Sequence, residues 1–512
     1  MIGGDITSPF LMKINSIVIV GGGSAGWMTC AALRENFKKV KITLVESKNI
    51  KTIGVGESTL PQMNDFLKLC NLKDEDFMPH SNATYKLSIK FNNFNTKGSF
   101  HYPLCKAKPN NNIKQLPPDI LLDLISEKNL PPNTFANYFN QTVDLSELNK
   151  MTYDNQYAND LDENSVAYHF EADKFAQFLR SRYKSKIKHI VDDVVDFNVD
   201  QDGITKLILS SDKELTADLY IDCTGFKSLL IKEFTEYEKF DTLINDKAIV
   251  GPVEYKNKRD EMIPFTNCTA LSSGWIWETP TWSRKGVGYV YSSEFISDDD
   301  AKEEFINFVG EEVETRTVNI KSGIHKKGWC KNVVSIGLSY GFLEPLESTG
   351  LATTQEAIKK LINILSNRDC YINYFDRERY NKTIDSQIRR MKNFTEIHYA
   401  MSDREDTPYW KHVTNDIEYK SEALNNFYEL SVSDYKIGFD NAFPDIYIFA
   451  GMGYMQDNKA TLRFIKNTEN GLKSRSVFEN VLNEWFNFRN YHTEIINTLQ
   501  SHYDYLKENI YR

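Results

Sequence analysis

The order of hydrophobic and polar residues predicts a strand–helix–strand unit near the start of the chain. Residues 16–36 (SIVIVGGGSAGWMTCAALREN) pass from a β-branched run through glycines into an alanine- and leucine-rich pattern of helical period. Residues 40–47 (VKITLVES) form a second β-branched run that ends near Glu46. A strand, a glycine turn, a helix and a second strand in this order indicate a βαβ unit.

Strict alternation of side chains marks a strand at residues 83–91 (ATYKLSIKF). Successive side chains of a strand point to opposite faces, so the apolar and the polar positions each share a face. The apolar face carries Tyr85, Leu87, Ile89 and Phe91, and the other face carries Lys86, Ser88 and Lys90. We expect one continuous strand in which Lys86 and Lys90 point the same way.

The rest of the chain predicts a mixed core followed by helices. Further strand patterns lie between residues 189 and 226, between 263 and 293, and at 332–337. Residues 102–165 are polar and rich in Asn and Pro, so we interpret them as an inserted substrate-side segment. We expect a leader at residues 1–11, a core at 12–370 and a mainly helical lobe at 371–512 that packs on the core.

Composition narrows the classes of function. The chain has 512 residues, of which 41% are hydrophobic, enough for a large core. No apolar run reaches about eighteen residues, which argues against a membrane partner. The net charge of −10 argues against nucleic acid as a partner. Seven cysteines without regular spacing indicate free thiols in a reducing cytoplasm, and no metal site is expected.

Gly21, Gly23 and Gly26 match the GxGxxG fingerprint of dinucleotide-binding proteins, directly after a strand and at the start of a helix. The three glycines permit a tight turn, close approach of a pyrophosphate, and close packing of helix on strand. Glu46 ends the second strand, where a carboxylate can accept a hydrogen bond from a ribose hydroxyl. A long β-rich region replaces the parallel pattern of a nicotinamide dehydrogenase, and this favours FAD.

A more specific signal lies in residues 273–280 (SGWIWETP), which match the phrase WxWxIP except at Thr279. Shorter phrases agree along nearly the whole chain: GGGSAGW, NATYK, DLYIDCTGF, GLSYGFLEPLESTGL, GYVYSS and REDTPYW. With these phrases the chain resembles the flavin-dependent halogenases, the tryptophan-halogenase-like family. The resemblance implies an α/β fold: a Rossmann-like FAD-binding domain of the GR2-type flavin monooxygenases, an interleaved β-sheet region and a mainly helical C-terminal substrate-binding lobe.

The resemblance also implies roles for individual residues. Lys86 corresponds to the catalytic lysine and Glu347 to an acid at the substrate end. The positions that match the FAD site are Gly21, Gly23, Ser24, Ala25, Gly26, Glu46, Val194, Leu338 and Leu351. Trp275 and Trp277 correspond to a wall between flavin and substrate. The family's His-Pro-Phe phrase is replaced by FHYPL, so the candidates for the aromatic pocket are His101 and Tyr102.

The stretch EPLESTG precedes a predicted helix, and a helix N-terminus attracts anions. Thr349 and Gly350 there correspond to the halide site of the family. A simpler interpretation is that Ser348 and Thr349 cap the helix. The two interpretations are compatible.

The activity implied is oxidation of chloride, bromide or iodide with FADH2 and O2 to hypohalous acid, which travels to Lys86 and halogenates an indole, a phenol or a related ring. A separate NAD(P)H-dependent flavin reductase supplies the FADH2. Lys86 can donate hydrogen bonds to hypohalous acid or form a haloamine, and both routes stay open. An FAD-dependent aromatic hydroxylase on the same scaffold is the alternative. We expect a cytoplasmic protein, and a homo-oligomer is compatible with the sequence.

Overall fold

The structure is a computed structural model that describes residues 11–49, 57–104, 130–140, 142–153, 166–419, 445–453 and 469–512. The strands are β1 (Met12–Lys13), β2 (Ser16–Val20), β3 (Lys41–Glu46), β4 (Glu57–Ser58), β5 (Thr84–Lys86), β6 (Ser88–Asn92), β7 (Phe100–Pro103), β8 (Ala167–Phe170), β9 (Lys188–Val191), β10 (Val194–Asp200), β11 (Gly203–Leu209), β12 (Glu214–Leu215), β13 (Leu219–Asp222), β14 (Tyr237–Lys239), β15 (Lys247–Val253), β16 (Phe265–Ala270), β17 (Gly274–Pro280), β18 (Lys285–Tyr291), β19 (Arg316–Asn319), β20 (Gly323–His325), β21 (Trp329–Cys330), β22 (Val333–Ser335), β23 (Gly341–Phe342) and β24 (Tyr371–Ile372). The helices are α1 (Ser24–Asn36), α2 (Met63–Leu69), α3 (Asp74–Ser81), α4 (Thr134–Phe139), α5 (Thr142–Glu147), α6 (Ala172–Tyr183), α7 (Lys258–Glu261), α8 (Asp298–Val309), α9 (Thr349–Asn367), α10 (Tyr374–Ala400), α11 (Pro408–Asn415), α12 (Asp445–Gly451), α13 (Glu469–Thr498) and α14 (His502–Asn509).

The glycine fingerprint lies in a six-stranded sheet with the strand order β21-β22-β13-β2-β3-β9. All neighbours run parallel except β21, which pairs antiparallel at the edge. Its central strands are almost entirely buried, as parallel strands covered on both faces usually are. Helix α1 connects β2 to β3 and packs against α6 and α9. The predicted βαβ unit is therefore confirmed.

A second sheet of seven strands has the order β19-β15-β18-β17-β16-β6-β7. It is antiparallel except between β16 and β6. Trp277 pairs with Cys268, and Cys268 pairs with Phe91. Paired residues share a face of a sheet, so these three side chains form a row across one face.

The alternating stretch at residues 83–91 forms two strands, and the prediction of one continuous strand is wrong. β5 pairs with β8 in a three-stranded sheet, whereas β6 joins the seven-stranded sheet. The chain changes sheets at Leu87, whose N–H donates to the carbonyl of Pro264 at 2.7 Å. Lys86 is fully buried while Lys90 is only half-buried. Alternation shows which side chains share a face, but it does not show which sheet each half of the stretch joins.

The C-terminal helices pack on this core. Helix α10 lies along α9 and contacts α11 and α12. Beyond α14, the ring of Tyr511 stacks on Trp282 with centroids 3.9 Å apart. At the start of α14, His502 accepts the backbone N–H of Tyr85 at 3.2 Å. The C-terminal segment is thus hydrogen-bonded to strand β5.

The predicted insertion at residues 102–165 is described only in part. Its described residues include the end of β7 and the helices α4 and α5, while 105–129, 141 and 154–165 lie outside the described ranges, as do 1–10 of the predicted leader. The proposed boundaries of insertion, core and helical lobe stay predictions. Among the helices that are described, none is both long and apolar enough to cross a membrane.

Candidate active site

A cavity of about 920 Å³ lies at the carboxyl ends of β2, β3, β9 and β13. The glycine loop borders it. Gly21 has a φ of +119°, and a Cβ there would lie 2.2 Å from the carbonyl oxygen of Cys223, so glycine is required at this turn. A Cβ at Gly26 would lie 1.9 Å from the Gly21 oxygen, whereas one at Gly23 would meet no atom of the described residues within 4 Å. The loop is therefore tightly packed behind and open toward the cavity.

Most of the residues predicted for FAD contribute to the cavity wall, namely Gly21, Gly23, Ser24, Ala25, Glu46, Val194, Leu338 and Leu351. Gly26 packs behind the loop and is not part of the wall. A cavity of this volume at the carboxyl ends of parallel strands fits a dinucleotide.

Three donors hold the Glu46 carboxylate at the edge of the cavity. Trp27 donates its indole N–H to Oε2 at 3.1 Å. Nε2 of His189 and Nη2 of Arg180 lie 2.9 Å and 3.1 Å from Oε1. The carboxylate is thereby fixed in position, and the spacing of the fingerprint alone did not predict these partners.

Lys86 is completely enclosed although it carries an amine. Its Nζ donates to the carbonyl of Thr59 at 2.9 Å and to Oγ of Ser348 at 2.8 Å. Burial lowers the pKa of Lys86 to about 7, although Glu347 acts in the opposite direction. Near neutral pH the side chain is therefore available both as a proton-donating ammonium and as a nucleophilic amine.

A chain of hydroxyl groups leads from Lys86 to the cavity. Ser348 Oγ donates to Ser58 Oγ at 2.9 Å, and Ser58 Oγ lies 2.7 Å from Thr266 Oγ1. Thr266 Oγ1 lies 2.9 Å from Nε2 of His169. Ser58, Thr266 and Ser348 all line the cavity. The enclosed amine is thus joined to the cavity wall through hydrogen bonds.

The hydrogen bonds of His169 determine which group donates and which accepts along this series of hydroxyl groups. The hydroxyl of Thr84 donates to the carbonyl of Pro280 at 2.6 Å, so its oxygen accepts from Nδ1 of His169 at 3.4 Å. Burial holds the pKa of His169 well below its usual range and keeps the ring neutral. Nε2 of His169 must then accept from Thr266. The hydroxyl groups of Ser348, Ser58 and Thr266 therefore each donate in the direction away from Lys86, and the Lys86 amine is the first donor of the series.

Glu347 and His398 approach each other in the interior. Oε1 of Glu347 lies 2.7 Å from Nε2 of His398, and their side chains are 1% and 0% exposed. The contact lies off the direction of an aligned hydrogen bond, and neither carboxylate oxygen accepts such a bond from the described residues. Oε2 of Glu347 therefore remains free to accept a proton in this buried position.

Helix α9 begins at Thr349, directly after Ser348 in the left-handed conformation. The interpretation of Ser348 as a capping side chain is wrong, because its hydroxyl bonds Lys86 and Ser58 and makes no capping bond. Among the described residues, Oγ1 of Thr349 is buried without a hydrogen-bond partner, and a Cβ at Gly350 would meet none of their atoms within 4 Å. The positive end of this 19-residue helix thus carries a free hydroxyl beside open space.

The tryptophan halogenase family model matches residues 16–464. The 7-chloro-L-tryptophan 6-halogenase KtzR of Kutzneria sp. (strain 744) is 35% identical over 77% of this chain and 81% of its own length. The chain belongs to the tryptophan halogenase family. The apo structure of VirX1 is 36% identical over 98% of this chain and all of its own, with a TM-score of 0.90. BrvH, a flavin-dependent halogenase from Brevundimonas sp. BAL3, is 27% identical over 97% of this chain and 99% of its own, with a TM-score of 0.82.

The protein is therefore a flavin-dependent halogenase, an oxidoreductase of α/β fold. The alternative of an aromatic hydroxylase is not supported, since these relatives are halogenases. Membership implies FAD and halide. Within the described ranges, no group of three His, Cys, Asp or Glu side chains could hold a metal ion.

In this halogenase, Trp275 and Trp277 lie on β17 with ring centroids 5.9 Å apart. Trp277 lines the cavity, and Trp275 is fully buried. A Cβ at Gly288 on the neighbouring strand would lie 2.1 Å from the Trp277 ring, so the glycine provides the space for that indole. The wall formed by Trp277 continues along the same sheet face to Cys268 and Phe91.

The two candidates on β7 point to opposite faces. His101 is buried, with Nδ1 at 2.8 Å from Oγ of Ser88, and burial lowers the pKa of His101 to about 3. Tyr102 is half-buried, and its ring lies 5.6 Å from that of Phe394. The Phe394 ring is itself 5.6 Å from His398. Tyr102 therefore lies on the side of His398, and His101 does not.

Sequence reasoning did not single out Ser58, Thr266, His169 or His398. Their local phrases (GESTL, FTNCT, AYHFEA and NFTEIHYA) lack any spacing that indicates chemistry. The available signal was a histidine among apolar residues of a predicted strand or helix, and such histidines usually belong to the core.

Proposed function

We propose that this halogenase passes hypohalous acid from the cavity to Lys86, where the halogen is transferred to an electron-rich aromatic ring. The observation that carries the proposal is the enclosed amine, joined to the cavity wall through Ser348 and Ser58. Burial of an amine is unfavourable, so a buried lysine beside a large cavity indicates a function.

FAD would be held by the glycine loop and by Glu46, with the start of α1 at the pyrophosphate. Val194, Leu338 and Leu351 would contact the rest of the cofactor. Reduced FAD, when bound, supplies the electrons with which O2 converts halide into hypohalous acid. Trp277 would separate that chemistry from the substrate, with Trp275 behind it.

The proposed halide site is the first turn of α9, at Thr349 and Gly350. Its support is the combination of the positive helix end, the unpartnered hydroxyl of Thr349 and the open space over Gly350. A halide requires donors and room and offers no hydrogen-bond donor of its own, which matches this turn.

Halogen transfer forms a bond between ring carbon and halogen and breaks the bond between oxygen and halogen. The ammonium of Lys86 gives a proton to the departing oxygen, which leaves as water. The ring then returns the electron pair of its C–H bond to the π system and loses the proton to Glu347. In sum, hypohalous acid and the arene give the halogenated arene and water. The neutral amine of Lys86 offers the second route, through a haloamine.

The substrate side is aromatic. The ring of Tyr102 lies 5.6 Å from Phe394 and 6.3 Å from Tyr447, and the Phe91 ring lies 4.7 Å from His398. Such walls suit a flat aromatic substrate. We propose an indole, a phenol or a related ring, and the relative KtzR, named for a chlorinated tryptophan, adds tryptophan to the compounds to test.

We propose that a separate NAD(P)H-dependent flavin reductase supplies FADH2, as the family requires. The described cysteines are free thiols, which is compatible with a reducing cytoplasm, where such a reductase has its NAD(P)H.

The test is a mass-spectrometric halogenation assay with FAD, a flavin reductase, NADH and O2, run with chloride, bromide and iodide in parallel. Wild-type protein and the control Lys90→Ala should give a halide-dependent mass shift on at least one indole or phenol. Lys86→Ala should give none, while FAD binding and hydrogen peroxide formation persist. Product from Lys86→Ala would refute the role of this lysine.

A further inference from the structure

The contact between Glu347 and His398 has a consequence for the protons of the site. Nδ1 of His398 lies 3.1 Å from the carbonyl oxygen of Phe394. A carbonyl oxygen only accepts, so Nδ1 carries a hydrogen. A neutral His398 would then present the lone pair of Nε2 to a carboxylate oxygen 2.7 Å away. Two unprotonated acceptor atoms repel at 2.7 Å, so one of the two carries a proton, although the contact lies off the direction of an aligned hydrogen bond.

We propose that Glu347 and His398 act as one pair that holds a shared proton, in which His398 is the positioning residue that keeps Glu347 ready to take the proton of the halogenated ring. The inference deepens the proposed function and rests on the role assigned there to Glu347. His398 itself need not touch the substrate.

The surroundings of the pair favour a shared proton over two separate charges. Phe91 and Phe394 pack on the imidazole, with centroids 4.7 Å and 5.6 Å away. The titratable groups that act on the pair are Lys86 from β5, Cys268 from β16 and Glu344 from the turn before α9. Burial keeps Cys268 as a thiol and raises the pKa of Glu344. The lysine ammonium is then the charged neighbour of the pair.

The charge of the buried site is conserved through the reaction. Lys86 gives one proton to the departing oxygen and becomes a neutral amine. The ring gives one proton to Glu347, and the pair then holds two. The positive charge has moved from the lysine to the pair, so the net charge of the enclosed volume stays the same, and the cost of burying an additional charge is avoided. Return of that proton to Lys86 restores the starting state.

The experiment compares two His398 variants with a matched control. His398→Phe keeps a ring and removes both nitrogens, and His398→Gln keeps a polar group that cannot hold the transferable proton. The control is His412→Gln, which breaks a 3.0 Å histidine–carboxylate contact with Asp416 outside the site. Each protein halogenates a substrate deuterated at the reacting carbon, and the isotope effect on product formation is measured with kcat and FAD affinity.

For wild type and His412→Gln we expect an isotope effect near unity, since loss of the ring proton is fast. Both His398 variants should lose roughly 100-fold in kcat, the lower range for general base catalysis, and should show an isotope effect clearly above unity with unchanged FAD affinity. Unchanged kcat would overturn the proposal. A lower kcat with an isotope effect still near unity would also overturn it and assign His398 a purely structural role.

A second measurement keeps the two proposals separable. If wild type gives no product on any substrate, the proposed function has failed. The shared proton is then examined by ¹⁵N NMR of the His398 ring in wild type and in Glu347→Gln. We expect Nδ1 to be protonated in both proteins and Nε2 to be protonated only in wild type, where it faces the Glu347 carboxylate. The same state of Nε2 in both proteins would overturn the inference.

Discussion

Replacement of Lys86 by methionine tests whether burial lowers the pKa of this amine into the neutral range. The pKa of Lys86 is about 7 in the folded protein against 10.5 ordinarily. Over the interval from 10.5 to 7, at about 1.4 kcal/mol for each pH unit, the buried lysine lowers the free energy of unfolding by about 5 kcal/mol. The methionine variant has no ionisable amine to bury, so this destabilisation disappears. It leaves the Thr59 carbonyl and the Ser348 hydroxyl without their donor, which lowers the free energy of unfolding by about 1–2 kcal/mol for each.

The sign of the effect follows from proton uptake. Between pH 7 and 10.5 the unfolded chain holds a proton on Lys86 that the folded protein does not. Unfolding then takes up a proton, so wild-type stability rises with pH across this window, and the penalty is complete only below it. Relative to wild type, Lys86→Met should be more stable by about 2 kcal/mol near pH 6.5 and less stable by about 2 kcal/mol near pH 9.5.

The assay is urea unfolding followed by tryptophan fluorescence at several pH values between these limits. The difference in free energy of unfolding between the two proteins should change by about 1.4 kcal/mol for each pH unit within the window. Lys90→Met, which removes a half-buried lysine from the adjoining strand, is the reference for nonspecific effects. A difference that does not change with pH would show that the amine stays fully charged in the folded protein, and the argument for a nucleophilic Lys86 near neutral pH would fall.

Three further perturbations test other parts of the site and fold. Ser348→Ala removes one acceptor from Lys86 and interrupts the hydroxyl chain, and should lower halogenation roughly tenfold while peroxide formation persists, as product and peroxide assays would show. Gly350→Ala adds a methyl group to open space at the start of α9, and should raise the halide KM several-fold without changing FAD affinity or Tm. Trp282→Ala removes the stack with Tyr511 and the Lys258 ammonium 4.0 Å from its ring, and should cost about 2 kcal/mol in urea unfolding and speed proteolysis of the C-terminal helix.

The parts of the fold that follow local rules were predictable from the sequence. The turn at Gly21 needs a left-handed backbone, and such a need is visible as a glycine at a fixed place between strand and helix. The β-branched runs of β2 and β3 and the helical period of α1 are likewise properties of contiguous residues. For Lys86 and Glu347, the resemblance to a family, and not periodicity, indicated a role.

The parts that depend on distant residues were not predictable. The enclosure of Lys86 depends on Ser348, 262 positions away, and on Thr59 from another segment. The break between β5 and β6 depends on pairing with Ala167 and Phe265, which no local pattern encodes. The contact of Glu347 with His398 joins a turn to a helix that begins 27 residues later, at Tyr374. The candidate catalytic groups are therefore brought together by contacts between distant segments, and the sequence of each segment alone shows no unusual pattern.

One sheet connects the two halves of the proposed reaction. Its face carries Trp277 at the cavity, then Cys268, then Phe91 beside His398, so one row of side chains runs from the cavity, where we propose FAD, to the proposed substrate side. A thiol on this route is a hazard, because thiolates react readily with electrophilic halogen. Burial raises the pKa of Cys268 and keeps it in the less reactive protonated form. Burial also lowers the pKa of Lys86. Exclusion of water therefore makes the Cys268 thiol a weaker competing nucleophile and makes the neutral amine of Lys86 available near neutral pH.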